Sequence, residues 1–150
     1  MAEIYHQVGI KAPIDKIHEY LTTEHGIKAW WTDCKLVDSA GSTYVVLYIQ
    51  EHMYHMEVYS NGPDSITWQP IVIDGDEVET GNWANTWINF SLSKEKSQTI
   101  VNFIHQGWDK AGSSFSAVST KWAVFLLSLK EAVESGVGRP YPNDIQINHY

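Results

Sequence analysis

The C-terminal part of the chain contains one long amphipathic pattern, and this pattern limits the fold more than any other feature. Between about Ser114 and Ser135, apolar residues recur every three or four positions, which is the spacing of one helix face. The stripe consists of Phe115, Val118, Trp122, Phe125, Leu126, Leu129 and Val133. A helix of about 20 residues is about 30 Å long, so this stripe needs a broad apolar surface to cover it. We predict that the preceding residues supply that surface as a sheet.

Size and charge are those of one globular domain covering residues 1–150, and they exclude several classes of protein. The formal net charge of −8 argues against binding to nucleic acid or to an anionic membrane surface. The single cysteine excludes an internal disulfide, and no apolar run reaches the roughly 18 residues of a membrane span. The first residues lack the basic and apolar regions of a secretion signal. We therefore expect a cytoplasmic protein.

Alternation of apolar and polar residues predicts most of the sheet. A first strand is predicted over Glu3–Ile10, followed by one short helix that begins at Pro13 and a second over Glu24–Trp31. Further strands are predicted over 43–50, 53–59, 65–73, 84–92 and 99–105. Strands followed by one long helix are typical of α+β folds in which the helix covers one sheet face.

The last two predicted strands also suggest a register. Lys94–Ser97 has the length of a four-residue hairpin loop, which would pair Leu92 with Thr99. Thr86 would then lie opposite His105, and the apolar members would share one face.

On the opposite face, this register brings three apolar residues together. Trp87 would lie opposite Ile104, with Ile100 nearby. A face that should meet water then carries an apolar patch, which is either covered by its own contacts or forms a surface for self-association, as in a homodimer, or for another partner.

Several short motifs occur in an order that resembles a known family. They are Trp30-Trp31-Thr32, Asn85-Thr86, Phe103-x-His105-x-Gly107-Trp108, Trp122-x-x-x-Leu126-x-Ser128-Leu129-Lys130 and Glu134-x-Gly136-x-Gly138-x-Pro140. The chain resembles the family named for similarity to the C-terminal domain of the activator of the heat-shock protein 90 ATPase. That family lies in the START-related (SRPBCC) superfamily, with the birch-pollen allergens and polyketide cyclases. The resemblance covers nearly the whole chain and implies a helix-grip fold, in which a curved antiparallel sheet of about six or seven strands surrounds the long helix and two short helices.

The resemblance also implies where a ligand would bind. Members of the superfamily bind hydrophobic ligands between the sheet and the long helix, and a few catalyse reactions there. The activator itself has a separate N-terminal domain that makes much of its chaperone contact. Because the first predicted strand begins at Glu3, we expect that domain to be absent from this chain.

Ten residues are predicted to line such a cavity. The chain has seven tryptophans, and aromatic side chains are typical of ligand pockets. The predicted lining consists of Trp30, Trp68, Ile88, Phe90, Phe103, His105, Trp108, Trp122, Phe125 and Leu129. The alternative is that these residues form a large aromatic core with no space between them.

His105 is the titratable residue predicted on the concave face. A buried imidazole could act as an acid or base, or it could orient a polar ligand group. The alternative is a structural histidine that hydrogen-bonds the C-terminal helix or the Gly107-Trp108 turn. No carboxylate in the adjoining strands points the same way, so the sequence does not provide a catalytic pair.

Other candidate sites are weak. His52 and His55 are three residues apart in a strand and would point to opposite faces, so they cannot bind one ion together. The acidic segment Asp74–Gly81 lacks the spacing of a calcium loop and is read as a solvated loop. Cys34 has no neighbouring histidine to activate it. We therefore expect no metal, cofactor or nucleophilic cysteine.

Three functions remain open. The first is a carrier or sensor of a small hydrophobic molecule. The second is a protein-interaction module that regulates a chaperone of the heat-shock protein 90 type, as part of a stress response. The third is a cyclase-like enzyme, which is least expected because the predicted cavity lacks a set of catalytic groups.

Overall fold

The computed structural model describes residues 2–49, 52–71, 83, 85–109 and 113–148. Its elements are β1 (Ala2–Ile10), α1 (Ile14–Thr22), α2 (Glu24–Trp30), β2 (Cys34–Ser39), β3 (Ser42–Ile49), β4 (His52–Ser60), β5 (Ser65–Ile71), β6 (Trp87–Glu95), β7 (Gln98–Trp108) and α3 (Ser113–Ser135). The seven strands form one antiparallel sheet in the order β1-β7-β6-β5-β4-β3-β2. The predicted α+β helix-grip fold is therefore confirmed. The predicted acidic loop at 74–81 lies outside the described residues.

The order of the strands explains how the helices and the sheet come to share one core. After β1, the helices α1 and α2 carry the chain to the opposite edge, where β2 begins. The strands then return one by one until β7 pairs with β1. The long helix α3 packs on β1 and on both short helices. Sheet, short helices and α3 thus meet around one core.

The two short helices differ slightly from their predicted bounds. Pro13 is the N-cap of α1 with an extended backbone, so the helix begins one residue later than predicted. In α2, the Thr23 hydroxyl caps the helix by accepting a bond from the Gly26 amide at 3.1 Å. This helix ends at Trp30 rather than Trp31.

One strand was missed and one register was wrong. The strand β2 (Cys34–Ser39) lies at the sheet edge with mostly exposed residues, so its sequence carries little alternation. In the β6–β7 hairpin, Leu92 pairs with Val101 and not with Thr99. The loop is only Lys96 and Ser97, and Lys96 takes a φ of +56°. Tight two-residue turns with positive φ match the twist of paired strands, which favours the shorter loop.

The register shift also corrects the predicted outer patch. Trp87 pairs with Gln106, and Ile104 pairs with Asn89, so the two apolar residues are not opposite each other. Both are half-buried, and Ile100 is buried. Because the shift is two residues, every side chain keeps its predicted face. The predicted pair Thr86–His105 is likewise replaced by Ile88–His105 in the backbone register.

Candidate ligand-binding site

A group of stacked aromatic rings fills the space between the sheet and α3. Trp68 on β5 stacks on Trp31, with ring centroids 4.9 Å apart and planes 7° apart. Trp30 lies 5.8 Å from Trp68, and Trp122 on α3 lies 5.3 Å from Trp31. Phe103 on β7 contacts Trp122 at 4.7 Å. These contacts join strand, short helix and long helix through rings alone.

Two of these tryptophans are fixed by the end of α1. The indole N–H of Trp30 donates to the Tyr20 carbonyl at 2.8 Å, and that of Trp68 donates to the Leu21 carbonyl at 3.0 Å. The last carbonyls of a helix have no partner within the helix. The two indoles satisfy them, and both buried N–H groups gain the partner that they need.

His105 is the centre of a buried hydrogen-bond chain. The Trp122 indole N–H lies 3.1 Å from Nδ1 of His105 and donates to it. Nδ1 is therefore unprotonated, so Nε2 carries the hydrogen and donates to the Thr86 hydroxyl at 2.9 Å. That hydroxyl donates to the Trp83 carbonyl at 2.7 Å. The bond to Trp122 confirms the alternative that His105 binds the C-terminal helix.

This arrangement keeps His105 neutral. The side chain is fully buried, and burial lowers the pKa of the imidazole to about 3. Its lone pair at Nδ1 is occupied by the indole N–H of Trp122. The ring is further enclosed by Trp83 and Trp108, each with its ring centroid 4.8 Å away. A histidine in this state holds strand and helix together and is a poor proton acceptor at neutral pH.

Gly107 explains the spacing of the motif around His105. This glycine has a φ of +98°, and a Cβ atom there would lie 2.6 Å from the Asn85 carbonyl oxygen. Only a glycine therefore lets the β7 backbone lie this close to Asn85, just before β6. The neighbouring Thr86 forms its hydrogen bond with His105 at the same place.

A cavity of about 290 Å³ lies beside Trp122. Aromatic and aliphatic side chains form most of its wall. The lining residues are Trp31, Thr32, Ile49, Trp83, Val118, Lys121, Trp122, Phe125, Tyr141 and Gln146. The cavity is thus bounded by α3, the two residues after α2, the end of β3, Trp83 and the segment that follows α3.

The ten residues predicted to line a cavity are all buried. Two of them, Trp122 and Phe125, line the cavity beside α3. The other eight lie in the core: Trp30, Trp68, Ile88, Phe90, Phe103, His105, Trp108 and Leu129. Trp31, Trp83 and Tyr141 also line the cavity and were not among the ten predicted residues. The Trp30-Trp31 pair was a visible signal, but helix periodicity could not decide which ring faces the open space.

The segment after α3 forms the outer wall of the cavity. The Arg139 amide donates to the Ser128 hydroxyl at 2.7 Å, and this hydroxyl donates to the Trp30 carbonyl at 2.8 Å. The Tyr141 amide donates to the Trp31 carbonyl at 2.7 Å. Two carbonyls at the end of α2 therefore hold the segment against α3.

An ion pair anchors the same segment further along. Lys121 on α3 pairs with Asp144, whose side chain is fully buried. The Lys121 ammonium also donates to the Ile145 carbonyl at 3.2 Å and lies 5.7 Å from the centre of the Phe125 ring. Within the described part of the chain, no group of three or more histidine, cysteine or acidic side chains is placed to hold a metal ion.

Comparison with solved structures identifies the family. The solution structure of the Aha1 dimer from Colwellia psychrerythraea is 33% identical, with a TM-score of 0.76. The match covers 92% of this chain and 100% of that chain. This chain belongs to the Aha1 family, the homologues of the activator of heat-shock protein 90 ATPase. No family model and no curated protein matches the sequence.

More distant structures share the fold of this Aha1-family chain. A Bacillus halodurans protein solved in solution is 19% identical with a TM-score of 0.69, and the match covers 89% of this chain and 98% of that one. DynU16, from the dynemicin biosynthetic locus, is 16% identical with a TM-score of 0.67, and the match covers 91% of this chain and 48% of that one. These likenesses show that the fold is shared. No helix in the described residues is long and apolar enough to cross a membrane.

Proposed function

We propose that this chain binds a small, flat, apolar molecule in the cavity beside Trp122. The observation that carries the proposal is the cavity of about 290 Å³, which Trp31, Trp83 and Trp122 line with aromatic surface. Ligand sites in proteins are typically concave, mostly apolar and equipped with a few polar groups. Thr32 and Gln146 supply such polar groups at this wall.

The size of the cavity limits the ligand. A cavity of about 150 Å³ lined by apolar side chains holds one benzene molecule. The present cavity of about 290 Å³ is about twice as large. It therefore suits a molecule of about two fused rings, and a sterol or a long-chain fatty acid would need the surrounding segments to move.

A binding experiment with a matched pair of variants tests this proposal. The thermal midpoint is measured with naphthalene, indole, palmitate and cholesterol, since a ligand of the folded state stabilises it by mass action. We expect the two-ring compounds to raise the midpoint in proportion to the logarithm of their concentration. Val118→Phe fills the cavity and should abolish this increase, because Val118 lines it. Leu127→Phe, at an exposed position of the same helix, should retain it. If two-ring compounds leave the wild-type midpoint unchanged, the proposal is wrong.

A second function is supported by the family. Because the chain belongs to the Aha1 family at 33% identity to a relative that it covers completely, we propose that it also contacts a chaperone of the heat-shock protein 90 type. Adding the chain to such a chaperone should raise its ATPase rate. An unrelated acidic protein of equal size is the control. A rate that stays constant up to saturating concentrations would contradict this function.

The relative's dimer supports self-association as a further proposal. The Colwellia protein was solved as a dimer, and this chain exposes a pair of apolar residues on neighbouring strands, Tyr48 and Met53. We propose that this pair lies in the contact between two copies. Sedimentation velocity should show a dimer for the wild type and a monomer for Tyr48→Ser/Met53→Ser. Tyr5→Ser, at an exposed tyrosine near the other sheet edge, is the control and should leave the dimer intact.

A further inference from the structure

Lys121 brings a positive charge to the wall of a mostly apolar cavity. Its side chain is 27% exposed, whereas the side chain of its partner Asp144 is fully buried. Phe125 and Lys121 are four residues apart on α3, so they share one helix face, and both line the cavity. A charged group at such a place needs a complete set of partners, because apolar surroundings solvate it poorly.

The partners of this ammonium group are incomplete. Lysine has three N–H donors. Among the residues that the structure describes, two oxygen partners are present, the Asp144 carboxylate and the Ile145 carbonyl at 3.2 Å. The ring of Phe125 lies 5.7 Å from Nζ and provides no oxygen. Because the Lys121 side chain lines the cavity and is 27% exposed, its third N–H is available to water or to a bound molecule.

The charge of the pair restricts what that molecule can carry. The Asp144 carboxylate already offsets the charge of Lys121 from a buried position. A second anion beside it would be repelled by this carboxylate in a poorly solvated site. A neutral oxygen acceptor, such as a carbonyl, takes the third N–H without adding charge.

We propose that the ligand of this cavity is a flat two-ring aromatic molecule with a neutral carbonyl oxygen at its edge, and that Lys121 binds this oxygen. This proposal rests on the proposed cavity function and specifies the chemical class of the ligand. The ring system would lie against Trp122 and Phe125, while the oxygen faces the ammonium group of Lys121.

Three probes that differ at one substituent test the proposal by titration calorimetry. Naphthalene lacks an acceptor, 2-acetylnaphthalene carries a neutral carbonyl, and 2-naphthoate carries a carboxylate. We expect the wild type to bind 2-acetylnaphthalene about tenfold more tightly than naphthalene, the gain of one hydrogen bond to a charged donor. We also expect 2-naphthoate to bind more weakly than 2-acetylnaphthalene. Equal affinities for naphthalene and 2-acetylnaphthalene, or tighter binding of 2-naphthoate, would overturn the ligand class while the cavity function stands. If none of the three binds, both proposals are wrong.

Variants of Lys121 assign the preference to this residue. In Lys121→Met, the affinities for naphthalene and 2-acetylnaphthalene should become equal within about twofold, because the donor is lost. Lys121→Arg keeps a charged donor and should keep the preference. Leu127→Met, on the exposed face of the same helix, is the control. A preference that persists in Lys121→Met would overturn the role of Lys121, and the wild-type comparison tests the ligand class even if this variant does not fold.

Discussion

The buried histidine makes the stability of this protein depend on pH in a defined direction. Burial lowers the pKa of His105 to about 3, while an unfolded chain has a histidine pKa of about 6.5. Between these values the unfolded state binds a proton that the folded state does not bind. The contribution of His105 to the free energy of unfolding is therefore fully present above about pH 6.5, and it is lost progressively as the pH falls toward about 3.

The magnitude follows from the two pKa values. Between pH 7.5 and pH 5.0, one histidine with pKa values of about 3 folded and about 6.5 unfolded lowers the free energy of unfolding by about 2 kcal/mol. His105→Gln removes this titration, and an amide can still accept from the Trp122 indole and donate to the Thr86 hydroxyl. The variant should therefore lose about 2 kcal/mol less than the wild type between these two pH values.

Urea denaturation at pH 7.5 and pH 5.0 measures the difference directly. Protonation of the other histidines and carboxylates occurs in both proteins, so it cancels when the two pH dependences are subtracted. His25→Gln, at an exposed histidine, is the control and should follow the wild type. If His105→Gln and the wild type lose the same free energy of unfolding, His105 is not the buried neutral group described above.

Three further changes test the packing around the site. Trp122→Ala should lower the free energy of unfolding by about 3–5 kcal/mol, because a buried ring and a donor to His105 are lost. Urea melts measure this loss, and an unchanged midpoint would contradict the packing of Trp122. Thr86→Val should lower the free energy of unfolding by about 1–3 kcal/mol in the same assay, because Nε2 of His105 loses its acceptor. Thr86→Ser keeps the hydroxyl and should lower this free energy less. Gly138→Ala should lower the thermal midpoint because its Cβ would lie 2.4 Å from the Ala29 carbonyl oxygen; an unchanged midpoint would argue against this close approach.

Residue periodicity predicted the elements that bury one face. The long helix begins at Ser113 and ends at Ser135, one residue from its predicted start and at its predicted end. The first strand and the inward faces of β6 and β7 also follow the predicted alternation. In each of these elements, burial on one side imposes a period that a sequence must keep.

Features that depend on a turn or an edge were harder to predict. Lys96 has no sequence signature of a positive φ, so the hairpin loop was read two residues too long. The edge strand β2 has one neighbouring strand and mostly exposed side chains. Its residues therefore do not need to alternate between apolar and polar, and the sequence gives no strand signal there. The consequence was a register wrong by two residues and one missing strand.

The position of the cavity could not be derived from periodicity at all. The pattern placed the candidate lining between sheet and helix, where Trp68, Phe90 and Phe103 fill the space with their own rings. The wall formed by Tyr141 and Gln146 comes from a segment without helical or strand period. Its place depends on tertiary hydrogen bonds to the end of α2, and such bonds leave no repeating signal in a sequence.

The hydrogen bonds of the core also determine what kind of recognition the cavity can offer. The indole donors of Trp30, Trp68 and Trp122 are already used by the Tyr20 carbonyl, the Leu21 carbonyl and His105. A ligand beside Trp122 would therefore contact the face of that ring and not its N–H, and Lys121 would add a polar contact at the cavity wall. Burial of apolar surface gives a negative heat-capacity change on binding, whatever the sign of the enthalpy. A two-ring ligand that bound with no such change would be held by polar contacts outside this cavity.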